Sequence, residues 1–220
     1  MRRIGRRDLP ARALRCVAVM IAALLFVFYV TRLALPSLTL HDLTVPLDRR
    51  IPFSPPWITV YCLSFVFWIG SGLWICAGEV QLAHRFTASY VFAMLLSGAI
   101  FLLWPGTMVR PEITGSDFFS RWVGLIYRLD PPTNLCPSLH VLITYFCFRG
   151  AAQSRHMPHW YTVFSFIFFL LVCCCVLLVK QHAIVDVPAA IAVAETALQC
   201  GRLLRLERIP SRIMKKSRKE

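Results

Sequence analysis

Apolar residues in this chain come in long, nearly unbroken blocks separated by short polar or proline-rich segments, not in the one-sided stripe of a soluble amphipathic helix. A bilayer core about 30 Å thick needs roughly 20 such residues per helix. The blocks predict about six spans, over 13–35, 57–78, 86–104, 138–152, 160–179 and 183–200. The expected fold is therefore all-α: a polytopic membrane protein with about six transmembrane helices in a bundle. The fourth and sixth blocks are the least apolar, and the fourth runs into Arg149, which could snorkel to the interface.

Composition agrees with that pattern. Hydrophobic residues make up 57% and charged residues 16% of the 220 positions, and mean hydropathy is +0.62. A soluble domain carries roughly 25% charge. The formal net charge of +13 raises the question of nucleic acid, and the placement of the charge argues against it. Six arginines, including Arg12 and Arg15, precede or open the first block, and eight Lys/Arg follow Gly201. No recognition fold or aromatic-basic platform accompanies them. Basic flanks instead mark cytoplasmic segments.

With both termini inside, cytoplasmic segments hold 17 Lys/Arg and the opposite loops hold seven. That asymmetry predicts a basic cytoplasmic N-terminus over 1–12, one membrane domain over 13–200 and a basic cytoplasmic tail over 201–220. The first block has no small-residue cleavage site after it and reads as an uncleaved anchor. The loops 36–56, 105–137 and 179–182 then share the non-cytoplasmic face. Prolines such as Pro105, Pro111, Pro131 and Pro132 punctuate the long second loop and suggest ordered turns. Nine cysteines, eight of them in or beside apolar blocks, make neither a disulfide framework nor a zinc site readable.

Three polar segments meet that face: Arg110-Pro111, Pro137-Ser138-Leu139-His140, and Lys180-Gln181-His182 with Asp186. Polar groups at the ends of apolar runs are costly and usually functional. His182 and Asp186, at i and i+4, would share one helix face. A carboxylate there can take the proton of one imidazole nitrogen and leave the other as a nucleophile. Pro137 suits the first turn of a helix, whose free amides near Ser138 would form an anion site. His140, one turn inside, could exchange a proton with a bound phosphoester. Arg110 carries a planar fork suited to phosphate oxygens. Each group alone also has an ordinary reading, as a helix-end pair, a headgroup-level histidine or an interfacial anchor. Their convergence carries the argument. Glu195, His84, His156 and His159 are expected outside the site, and Trp57, Trp68 and Trp104 as lipid contacts or interfacial belts.

The order R-P, C-P-S-L-H, K-Q-H-A-I-V-D resembles the type 2 phosphatidic acid phosphatase superfamily, and its P-S-L-H variant is similar to the branch of inositol-phosphorylceramide-synthase-like proteins. The segment from Leu47 to Phe53 is also similar to bacterial members of that branch. The resemblance spans about residues 40–200. It implies a six-span bundle with a metal-independent, cofactor-free site at the outer surface. His182 would attack phosphorus, Asp186 would orient it, and His140 would protonate the leaving oxygen. Arg110, Ser138 and Lys180 would bind the phosphate. Two cations of the family pattern are absent, since Leu103 and Val176 stand in their places. Lys180 could replace one.

The expected activity is hydrolysis of a lipid phosphate or lipid pyrophosphate in a bilayer, with no nucleic-acid partner. A phosphotransferase with an alcohol acceptor is the near alternative. A transporter or an inactive lipid-binding protein is the alternative of another class. Compact ends and few extra loops point to a bacterial inner membrane.

Overall fold

A computed structural model of the chain describes residues 8–206. The termini on either side, with Arg2, Arg3, Arg6, Arg7 and the basic tail from 207 onward, lie outside the described residues. Helices account for 73% of the described residues, whose strand content is one two-residue parallel pair, so the all-helical class holds. The described residues form seven α-helices in order: α1 Asp8–Ala34, α2 Ile58–Ala77, α3 Val80–Leu103, α4 Phe118–Leu129, α5 Leu139–Gln153, α6 His159–Leu178 and α7 Asp186–Leu203. Among the described residues four helices, α1, α2, α3 and α6, are long and apolar enough to cross a membrane. The spans expected over 57–78 and 160–179 match α2 and α6 within a residue, while α3 begins six residues earlier than expected.

The weak fourth block has a structural explanation. α5 packs on α2, α3, α6 and α7, and its residues Val141 to Thr144, Phe146 and Cys147 are all buried. A helix walled by protein needs no lipid-facing surface, so its hydropathy can fall. Its close fit is visible at Gly150, where an added Cβ would lie 2.6 Å from the Phe86 ring and 2.7 Å from Ile75. Arg149 pairs with Glu195 of α7, which also accepts from the Tyr145 hydroxyl at 2.7 Å.

Hydrogen bonds sort the connections to the two ends of the bundle. At one end Arg12 donates to the carbonyls of Cys76, Ala77 and Gly78, satisfying orphan groups at the end of α2. Arg155 and Ser154 bind Glu79 at that end as well. At the other end β1 (His41–Asp42) pairs with β2 (Gly106–Thr107), Ser54 N–H donates to Leu178, and His182 reaches Leu135. The three loops expected to share a face are joined there.

Two features differ from expectation. The long loop contains α4, an amphipathic helix capped by Asp117, whose carboxylate accepts from the Phe119 and Ser120 amides. The last helix starts at Asp186 instead of near 183, because Lys180 adopts a left-handed φ of 51° and the chain turns before entering α7.

Candidate functional site

The turn between α6 and α7 sets the position of His182. The His182 amide bonds back to Val176 at 3.1 Å, and the Ala183 amide donates to Asp186 Oδ2 at 2.9 Å. His182 Nδ1 lies 3.1 Å from Asp186 Oδ2 and 3.0 Å from the Leu135 carbonyl. Both partners are acceptors, so the proton belongs on Nδ1 and the lone pair on Nε2. The contact expected from the i,i+4 spacing is present, though by a different route. His182 precedes the helix, and a turn, not a shared helix face, brings it to Asp186. The carboxylate is fully buried, with Cys136 beside it; burial and the Asp186 charge push that thiol up to about 11 and keep it neutral.

His140 is the second residue of α5, not one turn inside. Aromatic rings hold it: Tyr61 stacks at 4.0 Å, Trp68 lies at 5.1 Å and Phe65 meets it edge-on at 5.4 Å. Trp68 is thus not a lipid contact. It is buried, and its indole donates to Thr144, whose hydroxyl donates to the His140 carbonyl. His140 Nε2 is buried without a partner, and the two imidazole centroids stand 6.3 Å apart. An orphaned buried nitrogen beside a cavity is a place for a ligand atom.

Arg110 completes the polar floor. Its guanidinium donates to the Asp130 carbonyl at 2.6 Å and to the Gln181 side chain, and it lies 4.5 Å from the Tyr127 ring centre. Burial draws its pKa down, and Asp130, Tyr127 and Tyr61 oppose that shift. These groups border one cavity of about 490 Å³. Its walls are mainly apolar, with Leu24, Leu25, Phe28 and Tyr29 of α1 on one side and Phe65 and Phe101 on another. Leu25 and Tyr29 are also exposed. The volume falls within the range of small-molecule sites.

Two residues expected at the phosphate are placed elsewhere. Lys180 donates its ammonium to the carbonyls of Asp48 and Ile51, at 2.7 and 2.6 Å, because its backbone turn aims it into the first loop. Ser138 is the N-cap of α5: its hydroxyl accepts from Val141, and its own amide donates to the Asp186 carbonyl. Neither borders the cavity. Pro137 therefore precedes the cap and lies outside the first turn. The positions of the two absent cations also face away, Leu103 being 82% exposed and Val176 fully buried.

Several contributors were not singled out from sequence. Asp48 is buried and accepts from the Ile184 and Val45 amides, tying the first loop to the His182 turn. Its only sequence signal is its place in the Leu47–Phe53 segment. Tyr61, Asp130 and Asn134 border the cavity, and none carries a local pattern that marks it; Gln181 borders it too, marked only by its place in the K-Q-H segment. Comparison with protein families, with curated proteins and with solved structures found no match to this chain.

Proposed function

We propose that this chain is a membrane lipid phosphatase of the type 2 phosphatidic acid phosphatase kind, with six spans counting α5 and α7, cytoplasmic termini and its site at the outer face. The observation that carries this reading is the His182 ring. Two acceptors hold its Nδ1 proton, which leaves Nε2 as a nucleophile beside a cavity that His140 and Arg110 also border. Nε2 attacks phosphorus, and the bond from phosphorus to the lipid oxygen breaks as His140 supplies a proton to that oxygen. Asp186 stabilises the positive charge that develops on the ring. Water then gives a proton to His140 and attacks phosphorus, and the P–N bond opens to restore His182. Arg110 and the amides of Leu139 and His140 at the start of α5 hold the phosphoryl oxygens, a type of contact typically worth about 10²–10³-fold per donor. The apolar walls suit the lipid portion of a lipid phosphate or pyrophosphate.

An alcohol in place of water makes the same machinery a phosphotransferase. The positive-inside asymmetry and the bacterial likeness of Leu47–Phe53 support a bacterial inner membrane. The test is phosphate release by purified protein in detergent, with EDTA present, from a panel of lipid phosphates. Release that persists with chelator and drops more than roughly 10³-fold in His182→Ala is expected. No release from any lipid, together with no transfer to alcohols, rejects the reading.

A further inference from the structure

One ionisable group in the cavity has no part in the chemistry above. Asp130 ends α4 and borders the cavity together with Arg110, His140 and His182. A carboxylate in a phosphoryl site repels its ligand, so its presence needs a cause. Arg110 does not neutralise it as an ion pair, because the guanidinium takes the backbone carbonyl of Asp130 instead of its side chain. The ion pairs among the described residues are Arg149–Glu195 and His182–Asp186. The Asp130 carboxyl instead receives the Tyr61 hydroxyl at 3.5 Å, at the long limit of a hydrogen bond. The same Tyr61 ring stacks on His140 at 4.0 Å. Asp130 and the orphaned His140 Nε2 thus border the same cavity on either side of Tyr61, and the carboxyl has acceptor capacity to spare. Burial pushes its carboxyl above the ordinary range, and the charges of His182 and Arg110 only partly offset this.

We infer that Asp130 positions the hydroxyl compound that attacks the phosphohistidine, accepting one of its hydrogen bonds while His140 takes the reacting proton. The inference rests on the phosphohistidine reading. With water, one hydrogen goes to His140 Nε2 and the other is held by Asp130. With a polyol, the attacking hydroxyl faces His140 and its neighbour faces Asp130. The new O–P bond forms as the P–N bond breaks, its electron pair returns to His182 Nε2, and the proton ends on His140, ready for the next leaving oxygen. Formation of the phosphohistidine needs no such hydroxyl, so the effect of Asp130 falls on the second half-reaction alone.

The test uses the full chain in detergent with radiolabelled dioctanoyl phosphatidic acid, read as base-stable, acid-labile protein phosphate and as the initial burst of diacylglycerol. In Asp130→Ala the labelled fraction at steady state is expected to rise and turnover to fall roughly 10–100-fold, while the burst keeps its rate. The burst shows that the variant is folded. Asp130→Asn, which keeps an acceptor oxygen, gives a smaller change in the same direction. Added glycerol identifies the acceptor: it lowers the label of the unsubstituted protein if alcohols are accepted and leaves it unchanged if water alone is. Unchanged label and turnover in Asp130→Ala, or a slowed burst with no accumulated label, overturn the role given to Asp130. No label on the unsubstituted protein, or label surviving in His182→Ala, overturns the phosphohistidine reading and the role of Asp130 with it.

Discussion

The imidazole of His182 has two acceptors on one nitrogen, at 3.0 and 3.1 Å, and the cavity before the other. Arg110 is held with similar specificity, since its planar fork meets two acceptors and a ring face at once. Arg110→Lys keeps the charge but not the fork. A roughly 10–100-fold loss of kcat/KM is expected, and steady-state phosphate release measures it. Asp130 makes the opposite demand. Its folded pKa is raised by burial, so the folded state binds more protons than the unfolded chain as pH climbs through the carboxylate range. Stability from this group is greatest in acid and is lost as pH rises through that window. Asp130→Asn is expected to raise Tm at neutral pH, with the gap closing toward about pH 4. A thermal-shift series across pH checks this, and an equal gap at every pH rejects it. Such a cost, retained in the cavity that His140 and His182 border, fits a functional group better than a structural one.

Among the elements, α5 shows where hydropathy reading reaches its limit. It is short, moderately apolar and central, so lipid never sees most of its surface. Gly150 is where its packing is tightest. Gly150→Ala would gain about 1 kcal/mol of helix propensity but must displace a Phe86 ring that is only 2% exposed. Overpacking of this kind typically costs about 1–3 kcal/mol, so a net fall in Tm is expected, and a rise would show that α3 can give way. The amphipathic α4 escaped a search for spans because its apolar residues are interleaved with Arg121 and Arg128. Residues 183–185 read as the start of the last span because their composition continues that of α7. A single left-handed residue at 180 diverts the chain, and that diversion both seats His182 against Asp186 and turns Lys180 away.

For the molecule as a whole, the orientation in the membrane makes a separate claim. Alkaline phosphatase fused after Glu112 should be active in a bacterial host, and the same reporter at the C-terminus should be silent. The reverse pattern would put the histidines on the cytoplasmic side and reject the outer-face assignment. The Lys/Arg bias behind this expectation is a property of the linear chain, as are the helical class and the positions of α2 and α6, because burial in lipid requires unbroken apolar runs that can be read residue by residue. The residues His140, His182, Asp186 and Arg110 were likewise visible in the chain, since polar groups stand out against apolar blocks. Tertiary structure alone decided which of the candidates face one cavity. Ser138 and Lys180 resemble phosphate ligands in sequence, yet a cap and a backbone turn give them other partners. Tyr61 and Asp130, 69 positions apart, meet only because α2 and the end of α4 converge on one cavity. The direction of a side chain follows from the packing of helices distant in sequence, and no local pattern records it.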